Sequence, residues 1–289
     1  MDEKVLEVIN LKKYYGNIRG VENVSFTLKS GETYGFIGPN GSGKSTTIRS
    51  IMNLINKTSG IIKINGVELD KNNIKLKEII GYLPSEIYLY DDLTVKEMLD
   101  FHGTFYKKDL SKKRNKLVKV FKLDESKRIE DLSLGNKKKL GIVLAFMHEP
   151  KILILDEPTS GLDPVMQNVF YELLAEEKKK GTTIFYSTHI LSEVSKICDR
   201  IGIIKDGVIV KEVMKDDIIK NSILTIESDD IKKIKDVLDL KIIYEDNKKI
   251  QFINTLSPNE LIVKISKFKM DKILIEEVSL DEIFMEYYK

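Results

Sequence analysis

The stretch YGFIGPNGSGKSTTIRSI, Tyr34 to Ile51, constrains this chain more than any other. YGFIG at 34–38 is an apolar run of the kind that forms a buried strand. KSTTIRSIMNLI at 44–55 reads as an amphipathic helix. Between them GPNGSGKST, Gly38 to Thr46, fits G-x-x-x-x-G-K-[ST] in the strand–loop–helix context that this motif requires. Gly38, Gly41 and Gly43 let the backbone curl so that successive N–H groups face one anion, and Pro39, Asn40, Ser42 and Thr46 complete the cradle. The helix start adds the positive end of its dipole. On this reading Lys44 reaches the β- and γ-phosphates of a nucleotide, and the Ser45 hydroxyl is a hard oxygen ligand for Mg²⁺.

A second apolar run, ILILD, ends in two carboxylates within ILILDEPTSGLD, Ile152 to Asp163. Asp156 is placed to hold Mg²⁺ through its water shell. Glu157, one residue on, is placed to orient or deprotonate an attacking water. A third run, TTIFYSTHI, closes on His189, 32 residues after Glu157. A lone histidine at a strand end is commonly structural. This spacing is one strand–helix–strand unit, which in a parallel sheet returns the chain to the same edge, so His189 is expected to contact the γ-phosphate. His102 and His148 have no such setting. Loop and carboxylate pair together specify a nucleoside-triphosphate hydrolase. NKTS at 56–59 lacks the aspartate of the guanine-reading NKxD pattern, which argues against GTP.

Strands alternating with helices predict an α/β P-loop NTPase fold with a mostly parallel central sheet. Asn65-Gly66 and Asp206-Gly207 sit between apolar runs and predict tight hairpins, hence an added antiparallel part. LTVKEMLDFHGTFY at 93–106 opens on a capping box, Thr94 with Glu97, and a helical subdomain is expected over about 85–148. A further helix starts at Asp163-Pro164. The texture changes after about residue 215. Strand, helix, two strands about Asp246-Asn247, a helix capped by Ser257 and a last strand at 272–278 give the order βαββαβ, the ferredoxin-like pattern. SLDEIFMEYY reads as a short closing helix. Two domains are therefore expected, 1–215 and 220–289, the second without a catalytic cluster and suited to regulation or docking, with a stabilising appendage the alternative.

Basic and acidic residues nearly cancel, 47 against 45, giving a net charge of +2, and only five of the basic residues are arginine. That balance argues against a nucleic-acid partner. Lysine runs such as Lys178–Lys180 read as solvated helix faces. A single cysteine, Cys198, rules out an intramolecular disulfide and reads as a small core residue in an apolar helix. MDEKVLEVIN has no basic start followed by an apolar stretch, and runs such as Ile142–Met147 fall far short of the ~20 residues that span a bilayer. The chain is expected in the cytoplasm, and any work at a membrane needs another polypeptide to cross it.

These motifs, in this order over residues 4 to about 215, resemble the ATP-binding subunit of ABC transporters. The resemblance implies ATP and Mg²⁺ as ligands, with GPNGSGKST as Walker A, ILILDEP as Walker B, SGLD at 160–163 as the D-loop and His189 as the switch histidine. The adenine-stacking aromatic falls on Tyr15, with Tyr14 the alternative and Val21 beside it. LSLGNKKKL at 132–140 aligns with the LSGGQ signature: Ser133, Gly135 and Asn136 match its second, fourth and fifth places, and Leu134 replaces a glycine. Lys137–Lys139 would lie on the first helical turn, facing phosphate or solvent. In IGYLPSEIYLYDDLT, Ser85 stands where the family has a glutamine reaching γ-phosphate, and Glu86 would substitute if the loop shifted.

The resemblance further implies a homodimer or heterodimer of ATPase subunits. Each ATP would lie between the 38–46 loop of one chain and Ser133–Asn136 of the other, with Asp163 across the same interface. A separate transmembrane permease would hold the protein to the inner face of the cell membrane. LPSE, GLDP and the C-terminal SLDEIFMEYY resemble the ATPases of ABC-2-type exporters, including bacitracin and multidrug exporters, which implies export of drugs, peptides or lipids. The alternative is a soluble ABC ATPase with a regulatory role. Translation-type members carry two ATPase heads and repair-type members a long coiled coil between the Walker motifs. This chain has one Walker A and about 110 residues of globular pattern in that interval.

Overall fold

The structure, a computed structural model, describes residues 3–70, 73–215 and 222–277. The chain divides into two compact units, Met1–Glu212 and Val213–Lys289. The strands of the first are β1 (Lys4–Tyr15), β2 (Ile18–Lys29), β3 (Thr33–Ile37), β4 (Ser59–Ile64) and β5 (Val67–Glu68), then β6 (Ile80–Leu83), β7 (Ile152–Asp156), β8 (Thr183–Thr188), β9 (Arg200–Lys205) and β10 (Val208–Met214). Among the described residues they form one sheet in the order β5-β4-β1-β2-β10-β9-β3-β8-β7-β6. β9, β3, β8, β7 and β6 run parallel, and β2, β1, β4 and β5 pair antiparallel.

The two halves of the sheet follow from the sequence pattern. β3, β7 and β8 are buried at every position, as expected of parallel strands covered on both faces. Asn65 and Gly66 have φ of 49° and 75°, and Asp206 and Gly207 of 53° and 73°, which turns β4 into β5 and β9 into β10. The rings of Phe26, Tyr34 and Phe185 stack at 5.2–5.9 Å in the core.

Helices flank this sheet: α1 (Lys44–Ile51), α2 (Val95–Gly103), α3 (Ser111–Val120), α4 (Leu134–Phe146), α5 (Pro164–Lys179) and α6 (Leu191–Ile197). α2 carries the Thr94–Glu97 capping box. α1 stops a turn earlier than its amphipathic pattern predicts, because Asn53 takes φ 49° and breaks the helical path. Cys198 is buried, but it lies just past α6 in extended backbone, against Gly35. Lys178 and Lys180 are ion-paired to Asp199 and Glu177, at 2.5 and 2.9 Å, so that run is not merely a solvated face.

β3, β7 and β8 end together. Ile37 pairs with Thr188, and Asp156 with Ser187. The loop after β3, the carboxylates after β7 and the histidine after β8 therefore leave the sheet at one edge, where ligands of open α/β sheets bind.

The second unit contains β11 (Ser222–Glu227), α7 (Ile231–Leu238), β12 (Lys241–Glu245), β13 (Lys249–Asn254), α8 (Pro258–Ile265) and β14 (Lys272–Glu277). Its strands form an antiparallel sheet in the order β12-β13-β11-β14. Leu224, Ile226, Ile250 and Phe252 from the sheet pack on Ile231, Ile234, Leu261 and Ile265 from the helices. Ser257 and Glu260 form the capping box of α8. The closing helix expected over SLDEIFMEYY lies outside the described residues. Among the described residues, no helix is long and apolar enough to cross a membrane.

Candidate nucleotide site

A cleft of about 450 Å³ lies over the glycine-rich loop, lined by Tyr15, Gly20, Asn40, Gly41, Gly43–Thr46, Ser85 and Glu157 among others. The loop needs its glycines. Gly41 and Gly43 have φ of 80° and 108°, and a Cβ on Gly38 would stand 2.4 Å from the Ile204 carbonyl oxygen. The backbone thus wraps a space rather than filling it with side chains.

Lys44 is buried at the floor of this loop, and its Nζ donates to the carbonyl oxygens of Gly38 at 2.6 Å and Pro39 at 3.1 Å. Burial holds its ammonium below the ordinary lysine value, and the carboxylates of Glu157 and Asp156 oppose that pull. Nζ stands 3.9 Å from Glu157 Oε1. Asp156 is buried, and its Oδ1 accepts no hydrogen bond. Ser42 Oγ is likewise buried and unpartnered inside the loop. Among the described residues no three His, Cys, Asp or Glu side chains converge as a protein-only metal cage. Ser45, in the cleft wall, and Asp156, with its orphan oxygen, instead offer hard oxygen donors of the kind suited to a cation that shares its shell with phosphate.

Glu157 adopts φ 46°, a left-handed backbone that costs a non-glycine residue energy and is held by its N–H donating to Ser187 at 3.0 Å. This turn brings the carboxylate beside His189, whose Nδ1 lies 3.0 and 2.9 Å from its two oxygens. His189 is half exposed. Lys44, Glu157 and His189 are thus brought together.

Tyr15 lines the cleft and is 45% exposed, with Lys13 Nζ over its ring at 4.6 Å from the centroid, whereas the Tyr14 hydroxyl is bonded to Glu22. Val21 is buried against Gly43. Of the two residues expected near the missing glutamine, Ser85 lines the cleft. Glu86 is turned away, accepting from the Tyr88 hydroxyl at 2.8 Å.

Ser133 caps α4, accepting from Asn136 N–H at 3.4 Å. Ser133, Gly135 and Asn136 are absent from the walls of the cleft. Gly135 abuts the 160–163 loop: a Cβ there would stand 2.9 Å from the Gly161 carbonyl oxygen. Leu134 points outward, 76% exposed. Asp163 caps α5 through Met166 N–H at 2.9 Å.

The expectation that Lys137–Lys139 face phosphate or solvent is corrected at two positions. Lys137 pairs with Asp91 at 2.9 Å. Lys138 is buried and donates to the carbonyl oxygens of Pro84 and Ser85, both at 3.3 Å. Burial pulls it down to about 8, against the attraction of Asp156 and Glu157.

Sequence reasoning missed Glu193. Its buried carboxylate accepts hydroxyl bonds from Thr159 at 2.5 Å, Tyr171 at 3.2 Å, Tyr186 at 2.9 Å and Thr188 at 2.9 Å. It ties the segment after Glu157 to the one before His189. His102 and His148 lie elsewhere, packed with Tyr106.

Residues 21–160 match the family described as ABC transporter. The linearmycin resistance ATP-binding protein LnrL of Bacillus subtilis (strain 168) is 41% identical over 208 residues, covering 70% of this chain and 67% of that protein. A solved ATP-binding subunit of an ABC transporter superposes with a TM-score of 0.70 at 35% identity, covering 74% of this chain and 91% of that one. A dimeric ATP-binding cassette, solved in a post-hydrolysis state bound to ADP and Pi, superposes with a TM-score of 0.65 at 26% identity over 73% of this chain and 98% of that one.

Proposed function

The chain belongs to the ABC transporter family as an ATP-binding protein and ATPase, and from that premise we propose how its own residues bind ATP, split it and pass on the work. The observation that carries the proposal is the convergence at one sheet edge of Lys44, Glu157 and His189, with Nζ 3.9 Å and Nδ1 2.9 Å from the same carboxylate.

Tyr15 stacks on the adenine, and the N–H groups of Gly38–Thr46 wrap the phosphates. Lys44 exchanges the Gly38 and Pro39 carbonyls for β- and γ-phosphate oxygens. Ser45 and Asp156 would hold Mg²⁺, which would supply charge neutralisation at the phosphate oxygens. Glu157 orients the attacking water and takes its proton. His189 fixes the Glu157 carboxylate and approaches the γ-phosphate from the β8 side.

The signature segment serves a second copy. Ser133, Gly135 and Asn136 stand at the start of α4 and outside their own cleft, so the phosphate that meets them is held by another ATPase subunit, identical or homologous. Asp163 follows the same face. ATP closes such a dimer because its phosphates are fully bound only when both subunits contact them.

The stroke passes to a separate membrane-spanning permease, which keeps the protein on the cytoplasmic face of the membrane. Tyr88, Tyr90, Phe101 and Phe105 support this: all four are exposed, and Tyr90–Phe101 and Phe101–Phe105 meet edge-on at 5.8 and 5.2 Å. Tyr88 lines a cavity together with Ser85, so a helix docked on it would feel the cleft. Similarity to the linearmycin resistance protein makes export of an antibiotic-like compound, peptide or lipid the reading for the assembled transporter.

ATP turnover of the wild type beside Glu157→Gln tests the hydrolytic reading. The variant is expected to bind ATP with unchanged affinity and to lose roughly 10²–10⁴-fold in turnover, the contribution of a general base. Equal turnover in both would remove Glu157 from the chemistry.

A further inference from the structure

Lys138 lies in the first half of α4 with 3% of its surface exposed, a rare place for a lysine. Its two bonds, to Pro84 and Ser85 carbonyl oxygens, are long at 3.3 Å and leave a donor to spare. Among the described residues no carboxylate pairs with it directly. Burial holds its ammonium below the ordinary lysine value, with the charges of Asp156 and Glu157 opposing that pull, while its neighbour Lys137 is taken up by Asp91. Ser85 is shared by two cavities. One is the nucleotide cleft, where it lies with Lys44 and Glu157. The other, of about 310 Å³, is lined by Lys138, Leu134, Tyr88 and Ser160.

A lysine with no stabilising ion pair is expensive to bury, and a methionine of similar length would normally serve packing better. Its retention calls for a task that needs both the charge and the donors. We infer that Lys138 is a positioning residue for ATP hydrolysis, clamping the Pro84–Ser85 backbone to α4 so that Ser85 stays in the cleft wall. The helix that carries the signature is thereby joined to the wall of its own nucleotide cleft through one side chain. The inference rests on the reading of that cleft as the ATP site and not on the dimer.

The test compares Lys138→Met, Lys138→Gln and Lys138→Arg with the wild type in the full chain. The measurements are kcat and KM for ATP, affinity for a fluorescent ATP analogue, and Tm. The expected result is a fall in kcat of at least about tenfold for Met with KM within about twofold, the pattern of a group that acts on the transition state and not on binding. Arg should recover at least half of the rate, and Gln, which keeps a donor and loses the charge, should fall between. Wild-type kcat in the Met variant overturns the inference. So does a loss that Arg shares and that comes with lower Tm and weaker analogue binding, since that pattern is structural. If Met does not fold, the Gln–Arg contrast decides: equal rates overturn the role of charge. A wild-type chain that fails to bind the analogue would instead overturn the cleft reading itself.

Discussion

His189 Nδ1 contacts both carboxylate oxygens of Glu157, at 3.0 and 2.9 Å, although the two residues are 32 apart in the chain. The contact joins the ends of two adjacent parallel strands, and only the sheet register makes it possible. A carboxylate held at both oxygens keeps one rotamer, which is what a group that aims a water needs.

His189→Ala should therefore slow hydrolysis by roughly 10²–10³-fold, the cost of removing one organising donor, while ATP affinity holds within a fewfold. Single-turnover kinetics beside a binding titration separates the two quantities. Parallel loss of affinity and rate would show that His189 only shapes the cleft.

Glu193 gives a second expectation. Its carboxylate accepts from four hydroxyls and has no cationic neighbour among them. Glu193→Gln keeps the shape but points an amide N–H₂ at donors, leaving at least one buried group unsatisfied. The expected loss of stability is about 1–3 kcal/mol, read as a lower denaturant midpoint with unchanged slope. An unchanged midpoint would mean that the hydroxyls repack freely.

The pH dependence of stability is set in part by His148. Burial, with His102 as a lesser cause, holds it down to about 4 against an ordinary 6.5, and its Nε2 faces the Ile80 carbonyl oxygen at 3.1 Å. Between those two values the unfolded chain binds the proton and the folded chain does not. Stability is therefore lost as pH falls from 6.5 toward 4, by at most about 3 kcal/mol. Replacing His148 with Phe, which can keep the stack on Tyr106 at 4.3 Å, should flatten the urea midpoint over that window. A variant that still falls as steeply as wild type would exclude His148 as a source.

Gly135 sits against the 160–163 loop, 2.9 Å from the Gly161 carbonyl oxygen at the point a Cβ would occupy. Gly135→Asp adds both bulk and a negative charge where a phosphate is expected. It should lower turnover at least about tenfold while the isolated chain binds ATP normally, and Ser133→Ala should act in the same direction through its lost cap. Rates equal to wild type in both would mean that no phosphate meets this helix start.

Much of this arrangement is local in sequence. A strand buried on both faces is a continuous apolar run, so β3, β7 and β8 and the polar residues at their ends can be located by inspection. What escaped depends on partners far away. Lys138 reads as facing phosphate or solvent because nothing nearby announces that carbonyls 53 and 54 residues earlier will receive it. Glu193 reads as an ordinary helix residue, since its donors come from β8, α5 and the turn after β7. α3 is hidden by composition: only Lys113 and Leu117 of SKKRNKLVKV are buried. The early end of α1 turns on one left-handed asparagine, a choice that periodicity does not encode.

The central claim is that a complete ATP site takes the loop at 38–46 from one chain and Ser133–Asn136 from another. The direct measurement is the ATPase rate per chain as a function of chain concentration, at saturating ATP and Mg²⁺. The rate per chain is expected to climb with concentration to a plateau and to fall toward zero on dilution, with sedimentation showing dimers in the plateau. A rate per chain that stays constant and full down to concentrations where only monomer sediments would contradict it.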